Sequence, residues 1–209
     1  MRTTPSQPTR MQRRVAERRL HIIGTAAQLL AEKGLDALTA EAVAAKADVA
    51  MQTVYNRVGG RQALLAEITE LAIKENQRHV DVAYATEGTP AQRLERAALA
   101  YAAFALESPH LFLLLASPPD EEVASAKLKG QVQTQNAKAI QAYEEGMAAG
   151  AFRTDLLAED AIFVLWAMLN GLLTTAVRQG PLQPSEAQRA RLLMAVTSIL
   201  RQGIAAPGL

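Results

Sequence analysis

Along this chain apolar residues recur three and four positions apart, and nowhere at the alternate spacing of a half-buried strand. Leu20, Ile23, Ala27 and Leu30 are the first such set, spaced as one face of a helix. Alanine and leucine dominate and β-branched runs are scarce. A chain of this kind must bury helical stripes against one another, so the expected fold is all-α.

Punctuation residues divide the chain into elements. Gly34 suits a helix C-cap, and Thr39 an N-cap, with Glu41 placed in the first turn where the helix dipole favours an anion. Val43 and Ala47 give the next helix its buried side. Asp48 follows, a third short helix fits Met51 to Arg57, and Gly59-Gly60 break the chain. A longer helix starts near Arg61 and buries Leu64, Ile68 and Leu71. Thr89-Pro90 with Gln92 forms a capping box with proline at the first helical position, ahead of a face of Leu94, Ala97, Tyr101 and Phe104. Ser108-Pro109 interrupts it before the apolar segment from His110 to Ala116. Pro118-Pro119-Asp120 opens a long polar helix that ends near Gly150. Another runs from about Leu157 to Gln179 and stops at Gly180-Pro181; Ser185 with Gln188 caps the last, with Leu192, Val196, Ile199 and Gly203 on its face. About nine helices result. They divide into residues 1–61, a small three-helix unit with a basic arm, and residues 62–209, a larger helical body.

Composition removes several classes. Of the 209 residues 49% are hydrophobic and 21% charged, which excludes global disorder. Without cysteine there is no disulfide, thiolate–zinc site or cysteine nucleophile, and a reducing compartment fits. The basic stretch from Met1 to Arg19 is followed by no apolar core of signal-peptide type, so a cytoplasmic location is expected. Ala161 to Val177 is the most apolar run; Asn170 and Gly171 interrupt it and no interfacial anchors flank it, so it reads as a buried helix and no membrane partner is expected. His21, His79 and His110 lack metal-ligand spacing, and no zinc-protease motif, nucleotide-binding glycine loop or nucleophile elbow occurs. Neither an enzyme, nor a cofactor, nor a metal site is expected.

Charge is uneven. Residues 1–61 hold 10 Lys+Arg and 5 Asp+Glu, a surplus of +5; residues 62–209 hold 12 and 16, or −4, which together recover the overall +1. Arg10, Arg13, Arg14, Arg18 and Arg19 concentrate the surplus at one end. That is the pattern of a polyanion-binding end on an acidic body, although a solvated tail would carry the same charges.

Residues 39–57, TAEAVAAKADVAMQTVYNR, are a helix, a four-residue turn and a second helix, the unit that sets its second helix in a DNA major groove. The wider stretch 22–65, IIGTAAQLLAEKGLDALTAEAVAAKADVAMQTVYNRVGGRQALL, closely resembles the N-terminal domain of the tetracycline-repressor (TetR) family. The matching positions include Ala26, Leu30, Gly34, Thr39, Val43, Ala44, Ala47, Val49, Thr53, Tyr55 and Leu64, over about a fifth of the chain. Trp166 to Gly171, preceded by Pro109 to Phe112, is similar to a subgroup with a Trp…His-Gly signature, with Asn170 where histidine is usual. The sequence departs from the family pattern in four places. Asp48 stands for a glycine, in a turn that needs a left-handed residue which Asp tolerates. Ala50 and Gly60 stand for capping residues, and Arg57 for a histidine.

The resemblance implies a ligand-responsive repressor. It would bind a palindromic DNA operator as a homodimer and be released by a small, largely hydrophobic effector. Residue chemistry assigns roles beside it. Thr39 and Tyr55 offer hydroxyls and Arg61 a cation to phosphate oxygens. Gln52 and Asn56 suit adenine, Arg57 suits guanine, Thr53 can touch a thymine methyl, and Met51 offers an apolar contact. In the body, Tyr101, Phe104, Phe112, Tyr143 and Trp166, with His110 and Asn170, are the candidates to line an effector pocket, each also a plain core candidate. The helix near Leu157 to Gln179 is apolar nearly all round, and so is much of the last helix, which calls for a second covered face made with a partner copy. The alternative is a helical small-molecule-binding protein of the same fold without operator binding, which the departures at Ala50 and Gly60 favour.

Overall fold

The computed structural model describes residues 9–117, 122–178 and 183–206. Among them are nine α-helices: α1 (Arg10–Lys33), α2 (Ala40–Lys46), α3 (Met51–Arg57), α4 (Arg61–Ala85), α5 (Pro90–Glu107), α6 (Pro109–Ala116), α7 (Glu122–Ala148), α8 (Ala158–Val177) and α9 (Glu186–Ile204). The all-α fold and helix order follow the sequence expectation. No strand occurs among the described residues; one isolated bridge pairs Phe152 with Ala205. The expected breaks at Pro118-Pro119-Asp120 and Gly180-Pro181 lie outside the described residues.

The chain forms two compact units, Met1–Thr69 and Glu70–Leu209, and the division falls inside α4 rather than at its start. The reason is local. Leu64, Leu65 and Ile68, all in the first turns of α4, are fully buried, as are Ile22, Leu38, Val43 and Val54 of the same small unit. Burying each such side chain contributes roughly 1.5–3 kcal/mol.

Most element ends have a capping group. Thr9 begins α1 with a capping box: its hydroxyl accepts from the Gln12 amide at 3.2 Å, and its own amide donates to Gln12 Oε1 at 2.8 Å. The basic segment from Arg10 to Arg19 is therefore helical. Leu20 and, on α4, Leu71 depart from the expected buried faces; Leu20 is 66% exposed, and on α1 Ile22, Ala26, Leu29 and Leu30 form the face that packs. Thr39 caps α2 by accepting from the Ala42 amide at 3.1 Å. Thr89 with Gln92, and Ser185 with Gln188, cap α5 and α9 as their spacing predicts.

The core of the larger unit gathers Phe104, Phe112, Leu169 and Leu173. A second cluster holds Tyr143, whose ring stacks on Phe152 at 5.1 Å between centroids. Pro109 starts α6 after a bend of 116° from α5. Helix α8 is long and apolar enough to cross a membrane by length and composition, with 39% of its most apolar window buried against the rest of the chain.

Candidate nucleic-acid interface and ligand cavity

The turn between α2 and α3 spans residues 47–50. Asp48 adopts φ +51, the left-handed conformation expected of it, and is the one non-glycine with positive φ among the described residues. That twist lets the Val49 amide reach the Ala44 carbonyl at 3.1 Å and turns α3 away from α2. Ala50 gives α3 no side-chain cap, as its lack of a hydroxyl dictates.

Only Val54 of α3 is buried. Met51, Gln52, Tyr55, Asn56 and Arg57 are exposed and Thr53 is half-buried. Gln52 donates from Nε2 to Asn56 Oδ1 at 3.0 Å, so the two amides form one polar surface. A broad cleft joins the basic half of α1 to α3, lined by Met11, Arg14, Val15, Glu17, Arg18, His21, Thr53 and Arg57. Among the described residues no carboxylate pairs with Arg10, Arg13, Arg14, Arg18 or Arg57. Arg19 differs, being held by Glu67 at 2.7 Å, and Lys46 is held by Glu32 at 2.6 Å. Three guanidinium groups therefore share one cleft with a single carboxylate, an arrangement suited to phosphates.

Of the expected phosphate residues Tyr55 is exposed, whereas Thr39 and Arg61 have structural partners. The Thr39 hydroxyl serves as the α2 cap. Arg61 donates to the carbonyls of Leu38 at 3.0 Å and Leu35 at 3.3 Å. His21, which was not among the expected site residues, donates from Nε2 to the Ala47 carbonyl at 3.1 Å and holds the turn against α1.

Within the larger unit α4, α5, α7, α8 and α9 line a half-open cavity of about 140 Å³. Its wall is mostly apolar: Val80, Leu94, Ile162, Leu165, Trp166 and Leu200 are among its residues. Of the seven expected ligand residues, Tyr101 and Trp166 lie in this wall. Asn170 stands behind it, its Oδ1 accepting the Tyr101 hydroxyl at 2.8 Å. Phe104, Phe112 and Tyr143 are fully buried in the packed cores, and half-buried His110 is in the first turn of α6. Burial raises the pKa of the wall residue Tyr84 to about 12 and that of Tyr101 further, so both phenols stay neutral at physiological pH.

Sequence reasoning passed over Tyr84, Gln135 and Asn136 in the wall, and Asn76 beside it. Asn76 carried a usable signal. It sits on the helical register Thr69, Ala72, Asn76, Val80, Ala83, each of which is buried. Among the described residues no three His, Asp or Glu side chains gather as a metal would require.

A two-helix turn unit presents a polar helix face beside unpaired arginines and is followed by a helical body with an apolar cavity, which defines the class as a helix–turn–helix protein with a helical C-terminal body. Residues 22–68 match the bacterial regulatory proteins of the tetR family, and residues 94–200 match the tetracyclin repressor-like C-terminal domain. The chain belongs to the TetR family of transcriptional regulators. Solved structures agree on the fold. The MbdR regulator from Azoarcus sp. CIB is 22% identical, with 89% of this chain and 98% of that one covered at a TM-score of 0.73. The fatty acid degradation regulator FadR from Bacillus halodurans is 17% identical, with 95% and 98% covered at 0.72. A transcriptional regulator of the TetR/AcrR family from Thermobifida fusca YX-ER1 is 19% identical, with 90% and 98% covered at 0.70. No curated protein matches the chain.

Proposed function

We propose that this chain is a cytoplasmic, non-enzymatic repressor that binds a palindromic operator as a homodimer and leaves it when a small, largely apolar effector enters the body. The observation that carries the reading is the orientation of α3. Its polar residues Gln52, Asn56 and Arg57 face outward, and Arg57 shares a cleft with Arg14 and Arg18. Base-edge donors are thus set beside phosphate-binding cations, and both kinds of contact are needed for sequence-specific binding.

Support for a dimer comes from α8 and α9. Phe163, Val164 and Met168 on α8, and Met194 and Ile199 on α9, are each at least 43% exposed. Side chains of this size gain by being covered, and a self-complementary patch closes around a two-fold axis. The cavity supports the effector, since its wall offers far more apolar than polar surface.

The test is a gel shift with duplex DNA flanking the protein's own gene, against random duplex at the same salt. Retention of the flanking DNA at concentrations where random duplex runs free is expected. Equal retention of both overturns operator binding. It would favour the carrier reading, for which the uncapped N-terminus of α3 at Ala50 is the supporting observation.

A further inference from the structure

Gln135 of the cavity wall pairs with Asn76, which stands beside the cavity. Asn76 of α4 is 4% exposed and donates from Nδ2 to Gln135 Oε1 of α7 at 3.2 Å. That bond uses one donor and one acceptor and leaves two buried atoms without a protein partner, Asn76 Oδ1 and Gln135 Nε2. An amide pair that made both of its possible bonds would be closed; this one is open by one acceptor and one donor. Leaving such groups unpaired is costly, so the pair favours a guest that satisfies both.

Of the other polar groups of the wall, Tyr84, Asn136 and Trp166 are half-buried, and the rest are committed or solvated. The Tyr101 hydroxyl donates to Asn170. The Thr197 hydroxyl donates to the Leu193 and Met194 carbonyls. Glu95 and Arg201 are solvent-exposed. Gln135 is the cavity-lining residue, among those described, that has a buried polar atom without a partner.

We infer that the effector is a neutral molecule of about one ring in size whose single hydroxyl is held by Asn76 and Gln135. A hydroxyl donates to Asn76 Oδ1 and accepts from Gln135 Nε2 through one oxygen atom. An ether or ketone satisfies only the second. A carboxylate would bring a charge to a pair of amides, where it would accept from Gln135 Nε2 but meet the Asn76 carbonyl oxygen with like polarity. The size follows from the cavity: a void of about 140 Å³ is comparable to one of about 150 Å³ that takes up benzene. The inference rests on the ligand-responsive reading above and narrows it to a chemical class.

The chain has a built-in reporter, since its single tryptophan, Trp166, is in the cavity wall. Its fluorescence in the full-length protein is titrated with three transparent probes: cyclohexanol, methoxycyclohexane and cyclohexanecarboxylate. The wild type is expected to bind cyclohexanol about tenfold more tightly than either of the others, the equivalent of one well-made hydrogen bond. In the Asn76→Leu/Gln135→Leu double variant, where both amides become apolar groups of similar size, that preference is expected to vanish while the protein still melts cooperatively. Gln135→Leu alone, at a half-buried position, gives the same reading if the double variant fails to fold. Binding of all three probes without preference, or an unchanged preference in the variants, overturns the hydroxyl anchor and leaves the ligand-responsive reading standing. Tighter binding of the carboxylate overturns it in favour of an anionic effector. A tryptophan signal that no probe moves at millimolar concentration overturns both.

Discussion

Arg61 reaches back from the first turn of α4 and donates to the carbonyl of Leu38 at 3.0 Å. With the Leu35 carbonyl at 3.3 Å, it ties the start of α4 to the residues just before α2. A residue whose charge at a helix start suggested a phosphate contact is thus also an internal brace for the helix–turn–helix unit. Arg61→Ala is expected to lower the stability of that unit by about 1–2 kcal/mol, as well as weakening DNA binding to all sequences alike. Thermal melting without DNA separates the two effects. An unchanged melting temperature would mean that the brace adds nothing.

Arg57 and Arg14 share a cleft but should differ in what they read. Arg57→Ala is expected to cost about 1–3 kcal/mol and relax preference at one base pair. Arg14→Ala is expected to weaken every duplex equally and make the slope of affinity against salt shallower by about one counterion. Binding isotherms on operator and scrambled duplexes at several salt concentrations measure both. Equal losses on both duplexes for Arg57→Ala would remove its base-reading role.

Phe163 and Met194 are 62% and 65% exposed on α8 and α9. If a second copy covers them, Phe163→Asp combined with Met194→Asp is expected to give a folded monomer, because burying two carboxylates at such an interface costs several kcal/mol. Sedimentation velocity at micromolar concentration checks it, with the wild type expected at twice the monomer mass. A monomeric wild type would defeat this expectation and the palindromic operator with it.

Gly146 lies against the Phe152 ring; a methyl group there would overlap it. Gly146→Ala must push the ring out of its stack with Tyr143, at a cost of about 1–3 kcal/mol. Denaturant unfolding measures the loss. The midpoint should fall with little change in slope.

Burial raises the folded pKa of Tyr84 from 10.0 to about 12. The sign follows from proton counting. Below pH 10 both states hold the phenolic proton, and between pH 10 and about 12 the unfolded chain loses it first. The contribution of this tyrosine to stability is therefore whole below pH 10 and lost as pH rises through about 12. Tyr84→Phe is expected to flatten that part of the stability profile, read by melting between pH 9 and pH 12 at constant ionic strength. An unchanged profile would place the alkaline loss elsewhere.

The helix–turn–helix unit was the most legible part of the chain because its signals are local. Capping at Thr39, the left-handed turn at Asp48 and the ends of α3 each depend on a few neighbouring residues, and the structure has them as expected. Leu20 was misplaced because three-and-four spacing was counted from it. The core face instead runs through Ile22, Ala26 and Leu29, and its phase is set by which side of α1 meets the other helices. The cavity was less legible for a different reason. Helical periodicity marks a side chain as buried but does not tell whether it meets a neighbour or a void. Phe104, Phe112 and Tyr143 carry the same pattern as Trp166, and only the packing of distant helices separates them. Asn76 was visible in principle, as a polar residue on an apolar register.

Helix α3 commits one of its seven residues, Val54, to the core. Its five exposed residues can change with little cost to folding, since exposed substitutions usually shift stability by no more than about 0.5 kcal/mol. The helix proposed to select DNA is therefore nearly free of structural constraint, whereas the cavity-bearing body is bound by its packing. A lineage carrying this fold can exchange one operator for another by a few point changes in α3 while keeping its chemical sense intact. New wiring between an old signal and a different gene lies only a few mutations away.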